Sequence, residues 1–163
     1  MRSDSGGVIR AGRAGVTALG FALLGLGVSV YLTIEHYDTS LTLACPQTAT
    51  LNCAKVTTSQ WSKIAGVPVA LIGLVYFVAM TMLLLPRAWR YRFLAPVRLV
   101  GAGAGVLMVM YLVWIELFRV DAICLWCTAV HVCTVAMFVA IVWRASSATV
   151  SPIDPQQGER RNR

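Results

Sequence analysis

Four long apolar runs dominate the chain: Val16 to Ile34, Val67 to Leu85, Leu94 to Ile115 and Ile123 to Trp143. Each has about the 20 residues that an α-helix needs to cross the hydrocarbon core of a bilayer. In lipid every backbone N–H and C=O must be paired within the protein, and a single segment achieves this only as a helix. The expected fold is therefore an all-α integral membrane protein, a four-transmembrane-helix bundle with a long first extracytoplasmic loop. Composition agrees, with 58% hydrophobic and only 13% charged residues, where a soluble domain has roughly 25% charged. The first run is longer than a signal-peptide core of roughly 7–15 residues, and no small-x-small cleavage pattern follows it. It is expected to be retained as the first span.

The net charge of +7 would suggest nucleic acid in a soluble protein, but no recognition motif accompanies it. The arginines instead flank the apolar runs. With four spans both termini lie on one side, together with Arg2, Arg10, Arg13, Arg87, Arg90, Arg92, Arg98, Arg144, Arg160, Arg161 and Arg163. Of the 14 basic residues only Lys55, Lys63 and Arg119 fall opposite. The positive-inside rule then places the termini in the cytoplasm of a multi-pass cell-membrane protein. Residues 1–15 form a cytoplasmic N-terminal segment, 16–143 the membrane domain, and 144–163 a tail. Pro152, Pro155 and Gly158 lead us to expect that tail to be disordered.

Within the outward loop of residues 35–66, the stretch Lys55 to Ala65 is expected to form a short helix, with Trp61 and Lys63 at the membrane surface. Pro68 suits the first turn of the second span. Gly101, Gly103 and Gly105 allow either close helix contact or flexibility in the third. Glu116 to Ala122 are expected to form a tight turn, with Asp121 as N-cap of the fourth helix.

Five cysteines fall on this frame: Cys45, Cys53, Cys124, Cys127 and Cys133. The first four lie outside the cytoplasm by the orientation above, where disulfides persist. Cys124 and Cys127 share a helix face. Such a pair can form a disulfide, exchange disulfides, or supply half of a zinc site. Two cysteines do not complete that site, and Cys45 with Cys53 lack compact ligand spacing, so redox is favoured over metal binding or transport. Cys45 and Cys53 can close a loop disulfide that is purely structural or that relays exchange with the second pair. Cys133 is turned away from both and reads as a buried apolar thiol. His131 shares the face of Cys124 and Cys127. It is either a histidine satisfied between helices or a polar contact and proton donor for a ligand.

Taken together, the loop pair Cys45 and Cys53, Ser59 in Ser59-Gln60-Trp61-Ser62, Gly66-Val67-Pro68, and Cys124-Leu125-Trp126-Cys127 resemble the vitamin K epoxide reductase family of membrane thiol oxidoreductases. The resemblance runs from Val16 to Trp143. A DsbB-type protein carries its Cys-x-x-Cys in the first loop, the reverse of the order here. The resemblance implies a helical bundle holding a quinone (menaquinone, ubiquinone or a vitamin K-like molecule) near the outer membrane face. By that likeness Cys124 and Cys127 are the active-site pair, with Cys127 next to the quinone. Cys45 meets an external thiol partner, and Cys53 passes electrons to Cys124. Ser59 supports the active site, and His131 stands where vertebrate members have a tyrosine that contacts the quinone. The implied activity is reoxidation of a separate DsbA-like thioredoxin-fold protein at the expense of a quinone. The alternatives are a metal-binding or metal-transporting membrane protein, or a vitamin K epoxide or quinone reductase proper.

Overall fold

A computed structural model describes residues 4–38, 45, 48 and 50–149. Five α-helices are present among them: α1 (Asp4–Tyr37), α2 (Cys53–Thr57), α3 (Val69–Leu84), α4 (Leu94–Ile115) and α5 (Leu125–Thr149). The four longer helices close into a ring, with α1 against α5 and α3, and α4 against α5 and α3. Small side chains set the spacing inside it. Ala18, Ala22 and Ala102 are fully buried, and Met80 and Met137 fill the gaps they leave. Close approach of this kind drives helix association where no water is available to be expelled. The outside of the ring is apolar, with Leu24, Val75, Val100, Leu107 and Trp143 all exposed. Polar Ser29, Glu116, His131 and Thr134 are buried instead. Apolar surface outside and polar side chains inside suit a lipid environment.

Three helices among the described residues are long and apolar enough to cross a membrane: Gly12–Tyr37, Leu94–Val120 and Leu125–Ser147. The remaining expected span, second in the chain, is shorter than its apolar run. Only 16 residues, Val69–Leu84, are helical, about 24 Å at 1.5 Å per residue. Val67 and Pro68 belong to a short hairpin, where β1 (Lys63–Ile64) pairs antiparallel with β2 (Val67–Pro68). Its two-residue loop places Ala65 at φ 50° and Gly66 at φ 83°, the doubly left-handed geometry that matches strand twist.

Other boundaries differ from expectation for local reasons. The Lys55–Ala65 helix is instead α2, a 3₁₀ turn at Gln60–Ser62 and the hairpin. Glu116–Val120 is not a tight turn but a π-helical extension of α4, and Asp121, left-handed at φ 49°, ends it. Helix α1 begins at Asp4, inside the expected polar segment, and α5 runs to Thr149, into the expected tail. The remainder of that tail, 150–163, lies outside the described residues, as does the loop at 39–44.

The two ends of the ring are chemically distinct. At one, Trp89 is sandwiched between the guanidinium groups of Arg98 and Arg144, whose Cζ atoms lie 4.0 and 3.8 Å from the ring centroid. Arg98 is buried there, and its donors reach the carbonyls of Ala88, Tyr91 and Leu94. The other end carries the cysteines.

Candidate functional site

Backbone pairing brings the first loop onto the start of α5. Leu51 bridges Ile123 in parallel, with Asn52 N–H donating to the Ile123 carbonyl (3.1 Å) and Ile123 N–H to the Thr50 carbonyl (2.8 Å). Lys55 Nζ adds a bond to the Asp121 carbonyl (3.4 Å). Two residues beyond Leu51, Cys53 opens α2, whose N-cap is Asn52, its Oδ1 accepting from Lys55 N–H (2.9 Å). One residue beyond Ile123 stands Cys124. This bridge brings together the segments that carry Cys53 and Cys124, and both cysteines are buried, 1% and 0% exposed.

Cys45 and Cys53 form a disulfide, with Cα atoms 6.1 Å apart. Cys124, Cys127 and Cys133 are free thiols. Cys124 immediately precedes α5 and fills the capping role expected of Asp121: its Sγ accepts the N–H of Cys127 at 3.3 Å. Its carbonyl accepts both the N–H and the hydroxyl of Thr128, each at 2.9 Å. The Cys127 thiol and the Cys127 N–H, both donating to sulfur, hold Cys124 below the ordinary thiol range and outweigh the opposing effect of its burial. An ionised sulfur is what thiol–disulfide exchange requires. Trp126, between the two cysteines, packs on Tyr31 of α1 with ring centroids 5.0 Å apart.

Inside the ring, next to this corner, lies a cavity of about 450 Å³, within the range of small-molecule sites. Its walls are largely apolar, and Cys127 is the cysteine among them. Cys124, fully buried, is not part of the cavity wall. Ser59 and His131 both line the cavity. Ser59 Oγ donates to the Val56 carbonyl (2.9 Å), tying α2 to the 3₁₀ turn. His131 is 7% exposed. Cys133 is buried and apart from the other thiols' wall, as its helical phase requires.

Two residues on these walls escaped the sequence reasoning. Glu116 was assigned to a turn, yet it is 6% exposed and faces the cavity beside the thiols. Its signal was an acid within the apolar stretch 94–120. Tyr76, hidden in the second apolar run, lines the cavity with a buried hydroxyl that has no hydrogen-bond partner among the described residues. Gly105 makes room for it, since a Cβ there would strike that hydroxyl. The close approach anticipated for this glycine is real.

An apolar chamber with a few isolated polar groups, one of them an unsatisfied hydroxyl, fits the ring and carbonyl oxygens of a quinone. Among the described residues, no three His, Cys, Asp or Glu side chains converge to hold a metal ion.

Membrane helices, a loop disulfide and a reduced dithiol bordering an apolar chamber define the class: a membrane thiol redox protein. The chain belongs to the vitamin K epoxide reductase family, whose family model matches residues 16–142. It is accordingly a membrane oxidoreductase, of a family that generally uses quinones. Among curated proteins no relative matches.

Proposed function

We propose that this enzyme reoxidises a separate DsbA-like thioredoxin-fold protein outside the cytoplasm and passes the two electrons to a membrane quinone. The observation that carries the reading is the order of the thiols: a half-buried Cys45, then Cys53 and Cys124 on two bridged segments, then Cys127 on the cavity wall. The partner's thiolate attacks the Cys45–Cys53 disulfide and leaves it reduced. Cys53 then attacks the Cys124–Cys127 disulfide at Cys124, and Cys45 resolves the mixed disulfide. Cys45–Cys53 is restored, and Cys124 and Cys127 become thiols, the arrangement described above.

A quinone in the cavity supplies a two-electron acceptor. Cys127 borders it, Cys124 resolves Cys127 as a disulfide, and Tyr76, His131 and Ser59 offer the polar contacts that orient its oxygens. The apolar walls exclude water from the exchange. In this reading α3 is the fourth span, completed at its outer end by the hairpin, and the thiol end faces away from the cytoplasm.

The reading is tested with purified protein, a short-chain quinone and either a reduced DsbA-like protein or a small dithiol as donor. Cys127→Ala is expected to abolish quinone reduction with both donors. Cys45→Ala is expected to abolish it with the protein donor and to keep it with the small dithiol. Quinone reduction by Cys127→Ala at the parent rate sinks the proposal.

A further inference from the structure

Glu116 is an acid within a candidate membrane span, 6% exposed. A carboxylate in such a place is costly unless it is used. Two cations at this end are directed elsewhere: the Arg119 guanidinium lies over Trp61 and Trp114, 5.4 Å from each ring centroid, and Lys55 reaches the Asp121 carbonyl. The backbone is unusual as well. Glu116 opens a single π-turn, a rare form that recurs at functional sites. That turn puts the carboxyl group against the backbone N–H of Cys124 and within electrostatic reach of both Cys124 and Cys127. The same side chain borders the cavity with Cys127 and His131. It therefore shares the cavity wall with the thiol it serves.

We propose that Glu116 is a proton carrier for the Cys124–Cys127 pair. This rests on the function proposed above. Closing the disulfide breaks two S–H bonds, forms one S–S bond and releases two electrons and two protons. Both electrons go to a quinone as oxidant. One proton moves to the Glu116 carboxylate, making a carboxylic acid, and then to a quinone oxygen, which restores the carboxylate. His131, on the same cavity, carries the other. Burial gives the step its purpose: on a largely apolar wall few water molecules stand ready to accept these protons.

The titratable and charged groups on the elements around Glu116 are Cys124, Cys127 and His131 at the start of α5, Lys55 of α2, Tyr76 of α3, Glu35 and His36 of α1, and Arg119 and Asp121 beside it in the chain. The test must separate Glu116 from all of these. Reduced enzyme without quinone is oxidised by ferricyanide, which takes the two electrons in single steps and no protons, and the infrared difference spectrum is recorded. The parent gains a carboxylic-acid C=O band as the disulfide closes, Glu116→Gln lacks it, and Glu116→Asp shifts it. In turnover, Glu116→Gln lowers kcat about 100-fold with the quinone KM unchanged. It also loses the acid limb of the kcat–pH profile, and Glu116→Asp recovers part of the rate. An unchanged band in Glu116→Gln, or turnover at the parent rate, overturns the proposal. If Glu116→Gln does not fold, the Asp variant decides alone, and a band that does not move overturns it. A parent enzyme that reduces no quinone sinks the proposed function instead, while the infrared band still reports on Glu116.

Discussion

Cys124 caps its helix with sulfur. Capping positions favour Ser, Thr, Asp and Asn because a side-chain oxygen satisfies an orphan N–H, and here the thiol of the reactive pair takes that place. One consequence concerns pH. The Cys127 thiol is the largest influence lowering the Cys124 pKa, ahead of the backbone N–H. Thiolate forms as pH rises through the pKa, so in the parent Cys124 reacts at lower pH than an ordinary thiol. Cys127→Ala keeps the N–H, removes the thiol donor and leaves burial unopposed by it. The alkylation profile of Cys124 is then expected to move to higher pH, and Cys127→Ser, whose hydroxyl still donates, to move less. Mass spectrometry of the alkylated chain separates Cys124 from Cys133, and identical profiles in parent and Ala variant would refute the assignment. The Cys-x-x-Cys was legible from spacing, and of the three residues expected on one face Cys127 and His131 meet on the cavity wall while Cys124 does not line it. The sulfur cap was not legible, because Asp121 is the better cap by type. What diverted it is the π-turn, which ends on Asp121 in a left-handed conformation and leaves Cys124 at the helix start.

At the scale of elements, α1 meets α3 through a glycine. A Cβ on Gly25 would enter the ring of Phe77, a side chain only 1% exposed and held from moving aside, whereas a Cβ on Gly27 meets nothing. Gly25→Ala is expected to destabilise the bundle by about 1–3 kcal/mol through overpacking, and Gly27→Ala to change it by less than about 0.5 kcal/mol. Unfolding in detergent or bicelles, followed by loss of helical circular dichroism, compares the two. Equal melting would show that α1 and α3 do not pack there. The helices themselves were readable, since predominantly apolar runs of spanning length have one structural solution in lipid. The hairpin was not. Strands of two residues are too short to impose a period, and their turn places Ala65, not a typical turn residue, at positive φ beside Gly66. For the same reason the apolar run from Val67 overstated α3, because Val67 and Pro68 extend the hairpin before the helix begins.

The whole molecule is polar along its axis, with thiols at one end of the ring and the Arg98–Trp89–Arg144 stack at the other. Arg144 also crosses to α1, filling the space above Gly15, so cations tie the first and last spans together at that end. The Arg98 guanidinium is anchored by carbonyls and an indole, and Arg87, Arg90 and Arg92 in the connection between α3 and α4 add to the surplus of basic residues at this end. Such a surplus is retained on the cytoplasmic face during insertion. The thiol end would then lie outside, where the loop disulfide is not reduced by the cytoplasmic thiol pool. Lys63 on the hairpin and Arg92 between α3 and α4 are both exposed and sit in the two opposite connections. In intact cells a membrane-impermeant thiol reagent is expected to label Lys63→Cys above the parent background and to leave Arg92→Cys unlabelled until the membrane is opened. The reverse pattern would place Cys45 in the reducing compartment, where no external thioredoxin-fold donor could reach it, and the proposed direction of electron flow would fall with the orientation.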